Sequence, residues 1–548
     1  MIMKQIPTMR LRILWLALLC AVVGGMRAER HVMIVPEPVS VEENGETFAW
    51  PDAVGVYVSA RFQQAAGVSA AHTQQMLNQV VGADAYTAAK AQAQVVVELD
   101  KTVAAEAYRL KVGRKGVEIK ASGLAGCYYA LQTLLQLFPA EVQATRTPAG
   151  ATVPGVRIYD VPRYAWRGFM LDESRHFFGV KEVKRVLDLM ARYKLNRFHW
   201  HLTDDQGWRI QIMRLPRLVT VGSWRNSKKL TRKGEQPDHI QYGGYYTQDQ
   251  LRDIVAYAKA RCIEIVPEVD MPGHSQAAIA SYPDLLACAP GPFEVYTGMA
   301  INPNVMNTAR TTSVEFAKAV IDELIGIFPY GYIHLGGDEC PTRFWEIDYE
   351  HRLKLFNMGS KNFHDLQTNF YAQLVEHMRR KPASEQRRFI FWNESLSGNP
   401  AHLGNAAIMV WTDVDNAVND AVSKGFPVIL SPQIPFYINR RQSTRADEPD
   451  TQGQGNETLE AVYNYQPPQP QATQAAADVI GVQANCWTEF IDNPQTLEYL
   501  LLPRLAAVAE TAWTPQVARA YDRFLPRAKH EADFYQAAGY AFGRAAFE

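Results

Sequence analysis

Gly168-Phe169-Met170-Leu171, a segment of helical period from Val180 to Tyr193, and the run Phe198-His199-Trp200-His201-Leu202 together read as a strand, a helix and a second strand. The two runs are too short for helices, and the segment between them spaces its apolar side chains at the helical period. The alternation continues through Glu264–Val269, Tyr332–Leu335, Phe389–Trp392, Ala407–Trp411, Pro427–Leu430 and Val479–Ala484, with helical stretches such as Thr247–Ala260 and Ser313–Phe328 between them. Eight strands alternating with helices predict an α/β architecture, a (β/α)8 TIM barrel, over residues 161–520.

Upstream, residues 29–160 read as a smaller α+β domain. Val95–Leu99, Tyr108–Val112 and Gly116–Lys120 have strand character. Ser122-Gly123-Leu124-Ala125-Gly126 leads into a helix with apolar positions Tyr129, Leu131, Leu134, Leu135 and Leu137. No polar set converges there, so a supporting role is expected. Residues 521–548 are read as a C-terminal helical tail. The stretch Asn439 to Ala477, rich in Gln, Pro, Asp and Gly, is the weakest connection. A loop of that length in a compact domain is expected to be a lid or a disordered insert.

The bulk numbers bound the class. The 548 residues are enough for two or three domains, and 47% hydrophobic with 21% charged content is that of a soluble globular protein. Lys+Arg at 56 against Asp+Glu at 57 gives no basic excess, which argues against a nucleic acid or anionic membrane partner. Residues 1–28 have the layout of a signal peptide: Lys4, Arg10 and Arg12, an apolar run from Ile13 to Val23, and a small residue at Ala28. No second hydrophobic stretch of spanning length follows, so an exported protein, periplasmic or extracellular and without a further transmembrane segment, is expected. Leu18 and Leu19 are bulky for a lipidation signal at Cys20, which makes a lipid anchor the lesser alternative. Without Cys20 the cysteines are Cys127, Cys262, Cys288, Cys340 and Cys486, an odd number with no zinc spacing. A Cys288–Cys340 bridge is an open option in an oxidising compartment.

In such barrels the chemistry sits where the strands end. The first predicted strand ends in Asp172, Glu173, Ser174, Arg175 and His176, and the second in His201, Asp204 and Asp205. The third gives Glu268, Asp270 and His274, the fourth Asp338 and Glu339, the fifth Trp392, Asn393 and Glu394. The sixth gives Trp411 and Asp413, the seventh Tyr437 and Asn439, the eighth Trp487 and Glu489. Acids and aromatics at one mouth, without a phosphate-binding glycine loop, point to a neutral polar ligand with flat apolar faces, as sugars have. One of Asp204 and Asp205 is expected to be a solvated turn residue.

The sharpest local signal is His334-Leu335-Gly336-Gly337-Asp338-Glu339. Adjacent strand residues face opposite ways, so both carboxyls reach the cleft only if the glycines bend the chain there. Close carboxyls resist double ionisation, so one keeps a proton for the leaving oxygen of a glycosidic bond.

These motifs resemble a known family. Trp166 to Phe177 (WRGFMLDESRHF), His199 to Arg209 (HWHLTDDQGWR), Pro267 to His274 (PEVDMPGH) and His334 to Glu339 are similar, in order, to glycoside hydrolase family 20, the β-N-acetylhexosaminidases. The likeness spans roughly 160 to 515, and the preceding domain resembles that family's N-terminal domain. It implies exo-acting release of terminal β-linked GlcNAc or GalNAc with retention, by substrate-assisted catalysis and with no cofactor or metal. By the same resemblance, Glu339 is the general acid and base, and Asp338 orients the 2-acetamido group that attacks the anomeric carbon to form an oxazolinium. Tyr437 is similar to the hydroxyl on the acetamido oxygen, and Trp392, Trp411 and Trp487 to the aromatic walls. Arg175 resembles the grip on the 3- and 4-hydroxyls, Glu489 the acid at the outer hydroxyls, and Asp204 with His274 the pair directed at the general acid. Asn439 falls at a position that varies between Asp and Asn, Asn393 stands where many relatives have Asp, and Tyr463-Asn464-Tyr465 where some have Trp. These departures bear on outer-subsite specificity.

Two rivals remain at this level. His199 and His201 share a strand face and could ligate one metal, as in a metal-dependent amidohydrolase barrel. The Trp, Asn and Glu ends of the fifth, sixth and eighth strands speak against it. A non-catalytic glycan-binding protein would keep the aromatic walls and lose the acids, yet Asp338 and Glu339 are both present.

Overall fold

The computed structural model describes residues 32–451, 455, 457–468 and 479–547. The leader-like residues 1–28 lie outside them. Among the described residues no helix is long and apolar enough to cross a membrane.

The N-terminal part is a seven-stranded mixed sheet: β1 Ser40–Ala49, β2 Ala53–Val58, β3 Asp84–Thr87, β4 Val95–Leu99, β5 Tyr108–Gly113, β6 Gly116–Ala121 and β7 Thr152–Asp160, in the order β1-β7-β5-β6-β4-β2-β3. The three expected strands are β4, β5 and β6. β5 shows why they were legible: Tyr108, Leu110 and Val112 are buried while Arg109 and Lys111 are exposed. The edge strand β1 reads Ser-Val-Glu-Glu-Asn-Gly-Glu-Thr-Phe-Ala and is mostly exposed, so no apolar pattern announces it. The helix Leu124–Leu135 packs its buried residues on the sheet.

The eight expected barrel strands all form: β8 Trp166–Asp172, β9 Arg197–His201, β10 Glu264–Glu268, β11 Tyr332–His334, β12 Arg388–Trp392, β13 Ala407–Val410, β14 Val428–Leu430 and β15 Val479–Cys486. They are parallel and close, with β15 pairing β8. The register sets Asp172 beside His201, His201 beside Glu268, and Glu268 beside His334. Four charged or titratable residues therefore lie level across four strands at the end where the loops begin, a place usually given to branched aliphatics.

The sheet domain is joined to the barrel through buried polar contacts. Lys194 Nζ lies 2.9 Å from Asp160 Oδ2, and Asp160 also accepts from Tyr108 Oη at 2.7 Å and from Trp513 Nε1 at 2.8 Å. Arg167 pairs with Glu106 at 2.9 Å. The last long helix, Tyr521–Ala537, is tied back by Glu531, 2.7 Å from Arg192.

Two expectations are corrected. Cys288 and Cys340 are both free thiols: each borders the apolar cluster of Val305, Trp345 and Leu355, but Cys288 Sγ donates to Val305 O at 3.3 Å. The described parts of the Asn439–Ala477 segment are ordered by buried contacts, while its residues 452–454, 456 and 469–477 lie outside the described residues. Arg504, fully buried, donates to Ile438 O at 2.7 Å, Arg440 O at 2.8 Å and Glu457 O at 2.9 Å, and Leu459–Asn464 is helical. One guanidinium, whose five donors form a fixed fork, thus holds backbone that sequence composition presents as unstructured.

Candidate active site

The strand β11 ends at His334, and the chain then turns through left-handed backbone at Gly336 (φ 69°), Gly337 (φ 102°) and Glu339 (φ 42°). A side chain is excluded at both glycines: a Cβ on Gly336 would lie 1.9 Å from Asp270 Oδ1, and one on Gly337 2.4 Å from Ser395 Oγ. This bend places the two neighbouring carboxyls, Asp338 and Glu339, on the same His274 ring. His274 Nε2 lies 3.8 Å from Asp338 Oδ2 and 3.7 Å from Glu339 Oε2. Burial, and then the charge of Asp338, raise the pKa of Glu339 above the ordinary carboxyl range.

His274 is itself held from behind. Its Nδ1 is 3.2 Å from Asp204 Oδ1 and 3.5 Å from Asp205 Oδ2. Burial alone would lower its pKa, but Asp204, Asp205 and Asp338 outweigh that, and it is raised well above the usual value. Asp204 and Asp205 are both buried, and Asp205 Oδ1 accepts from Gln276 N at 3.0 Å. Neither is the solvated turn residue expected of one of them, because each carboxylate caps a specific donor inside the loop.

Arg175 lies over Trp487, its guanidinium carbon 5.0 Å from the ring centroid. It is fixed by Asp204 at 2.8 Å, Asp172 at 3.2 Å and the Gln206 side chain at 2.9 Å, with Glu489 at 3.9 Å. These acids set the orientation of a planar donor fork at the mouth. Glu489 Oε2 and Asp338 Oδ1 are buried and accept no hydrogen bond from any of the described residues. Such oxygens are costly unless a polar ligand meets them.

The aromatic residues also come together. Trp392, Tyr437 and Trp487 belong to one buried cluster, with Trp411 packed against it. Trp411 and Tyr437 stack with centroids 6.1 Å apart and planes at 14°, and Trp487 stands 6.1 Å from Tyr437 and 6.3 Å from Trp392. Trp392 is almost wholly buried and belongs to the barrel core. Asn439 is buried two residues beyond Tyr437.

Several contributors had no role in the sequence reading. Glu394 accepts the Trp411 indole N–H at 2.9 Å, and burial, with Asp338 second, pushes its pKa to about 8. Asp270 is buried and accepts from Gly337 N at 3.1 Å, bracing the bend. The sequence signal for both was their place at a strand end; their partners come from other loops. The paired histidines of β9 both turn inward, as alternation requires, but towards a carboxylate. His199 Nε2 lies 2.9 Å from Glu268 Oε2, and His201 Nδ1 bonds the same oxygen. His199, Glu268 and His334 are close enough together to be considered for an ion. Trp392 Nε1 already donates to Glu268 Oε1 at 2.9 Å, and Gly336 N to His334 Nδ1 at 3.0 Å.

With this geometry in view, the chain can be compared with known proteins. The model of the glycosyl hydrolase family 20 catalytic domain matches residues 164–516, and that of the family's domain 2 matches residues 31–161. The chain belongs to glycosyl hydrolase family 20. A β-hexosaminidase of Porphyromonas gingivalis is 39% identical over 425 residues, covering 77% of this chain and 52% of the relative, so the chain spans about half that protein's length. A β-N-acetylhexosaminidase of Cellulomonas fimi is 33% identical over 518 residues, 93% of this chain and 95% of the relative. Among solved structures, the exo β-N-acetylglucosaminidase of Vibrio harveyi in complex with N-acetylglucosamine superposes with a TM-score of 0.80 at 31% identity. It covers 95% of this chain and 80% of that one. The fold class and family expected from the motifs therefore hold: this family 20 chain is a glycoside hydrolase with a TIM barrel and a smaller N-terminal domain.

Proposed function

We propose that this hydrolase is an exo-acting β-N-acetylhexosaminidase that cleaves terminal β-linked GlcNAc or GalNAc with retention, the substrate's own 2-acetamido group acting as nucleophile. The observation that carries the reading is the left-handed bend at Gly336 to Glu339, which turns two sequence neighbours, Asp338 and Glu339, towards one histidine. In this reading Glu339, its proton retained by burial, protonates the leaving oxygen and then deprotonates the attacking water. Asp338, with a buried oxygen that takes no hydrogen bond from the described residues, accepts the amide N–H and faces the positive charge that develops as the acetamido oxygen closes on the anomeric carbon.

The walls complete the assignment. The Tyr437 hydroxyl, buried beside Trp411 and Trp487, donates to the acetamido oxygen in this reading. Trp392, Trp411 and Trp487 confine the methyl and the sugar ring. Arg175 and Glu489 take the ring hydroxyls, with Asn439 beside Tyr437 towards the outer ones. Holding nucleophile and electrophile in one substrate at fixed geometry supplies effective molarities of ~10⁵ M or more. The leader-like residues 1–28 support export to the periplasm or beyond, with glycoconjugates ending in β-N-acetylhexosamine as substrates.

The decisive experiment compares p-nitrophenyl β-N-acetylglucosaminide with the β-glucoside that lacks the amide. Turnover of the first alone is expected. Equal turnover of both would remove neighbouring-group attack, and binding without turnover of either would favour a non-catalytic glycan-binding protein.

A further inference from the structure

Glu268 ends β10 and has no part in the chemistry above. It is fully buried, and its carboxylate faces four nitrogen atoms from three other strands. These are His199 Nε2 at 2.9 Å, His201 Nδ1, His334 Nδ1 at 2.9 Å and Trp392 Nε1 at 2.9 Å. A buried carboxylate is unfavourable unless it is paired; β9 and the Trp392 indole supply the donors, whereas His334 Nδ1 accepts the Gly336 N–H at 3.0 Å and has no hydrogen for Glu268.

Partner chemistry decides where the protons sit. Gln483 Nε2 donates to His199 Nδ1 at 2.9 Å, so that ring carries its hydrogen on Nε2, towards Glu268. His201 has carboxylate oxygens at both nitrogens: Glu268 at Nδ1 and Asp204 Oδ2 at Nε2, 3.0 Å away. Ionised carboxylates only accept, so both nitrogens donate, and His201 is an imidazolium clamped between two acids. Asp204 continues the line to Arg175 at 2.8 Å and to His274 at 3.2 Å, and His274 reaches Glu339.

We propose that Glu268 is a positioning residue for the hydrolysis, one carboxylate holding both the acetamido floor through Trp392 and the acid side through His201 and Asp204. The proposal rests on the hydrolase reading above. It accounts for a charged row in a barrel layer that would otherwise be aliphatic. The groups facing Glu268 are His199, His201, His334 and the Trp392 indole; those facing His201 are Glu268, Asp204 and, along the register row, Asp172.

Two variants of the full chain test it, each with a thermal melt as folding control. Glu268→Gln removes the charge that clamps His201 and weakens the hold on the indole. Its kcat/KM on p-nitrophenyl β-N-acetylglucosaminide falls at least about tenfold, with a rise in KM. The acid limb of kcat against pH moves to higher pH, because Asp204 loses a cationic neighbour that favours its ionised form. His201→Asn breaks the acid branch alone, so the limb moves the same way with a smaller change in KM. A folded Glu268→Gln with kcat/KM within about threefold of the parent and an unshifted acid limb overturns the proposal. If Glu268→Gln does not fold, an unshifted limb in His201→Asn overturns it. Loss of turnover in the parent chain itself would count against the hydrolase reading; a normal parent with unshifted variants counts against the positioning role alone.

Discussion

Nε2 of His274 stands 3.7 Å from Oε2 of Glu339, and the same ring is raised well above the usual histidine pKa by the acids around it. The Glu339 carboxyl, the proposed general acid, thus has a cation at hand that stabilises its ionised form. Asp338, 3.8 Å from the same nitrogen, pushes the opposite way by favouring a protonated Glu339. A carboxyl poised between these influences can release and recover one proton within a catalytic cycle.

Glu339→Gln keeps the shape and removes the transferable proton. Turnover should fall by about 10²–10⁴-fold, while binding of N-acetylglucosamine persists. Steady-state kinetics with calorimetric binding check this, and equal losses in both would point to misfolding.

Asp338→Asn should also damage turnover, and the residual activity carries a second signature. Glu339 must be protonated to act, so activity falls as pH rises through its pKa. Burial and Asp338 together raise that pKa, so removing the negative neighbour lowers it, and the basic limb of the pH profile moves to lower pH. A thiazoline mimic of the cyclic intermediate should bind tightly to the parent and poorly to Asp338→Ala. Tight binding to that variant would contradict the role given to Asp338.

Gly337→Ala tests the bend. At φ 102° an alanine is strained by roughly 1–3 kcal/mol, and its Cβ would meet Ser395 Oγ at 2.4 Å and Tyr371 Oη at 2.7 Å. Activity should drop sharply even in protein that remains folded, since Asp338 and Glu339 follow directly. Wild-type kinetics in this variant would show that the bend does not place them.

Lys194→Met tests the joint between the sheet domain and the barrel. It leaves Asp160 buried without its cation, and breaking a buried pair costs about 3–5 kcal/mol. Denaturant unfolding should show that loss, with KM on the small aryl glycoside little changed because the pair is remote from the site residues.

Much of this molecule was legible along the chain because barrel strands announce themselves locally. Apolar runs such as Phe198–Leu202 and the helical period after Leu171 depend only on neighbours in sequence, and the strand ends then mark where polar residues gather. The edge strand β1 escaped that reading because an exposed edge needs no apolar face. The expectation of a solvated residue among Asp204 and Asp205 failed because Asp205's donor, Gln276 N, comes from the start of a helix far along the chain. The order of the tertiary contacts was likewise hidden. That Glu268 would meet His199, His201 and Trp392, or that Arg504 would hold the segment after Tyr437, follows from strand register and from loops meeting in space. Local pattern determined which residues lie at the mouth of this barrel. Only closure of the barrel decided which of their charges face one another, because Coulomb and hydrogen-bond partners are chosen by distance in three dimensions and leave no period in the chain.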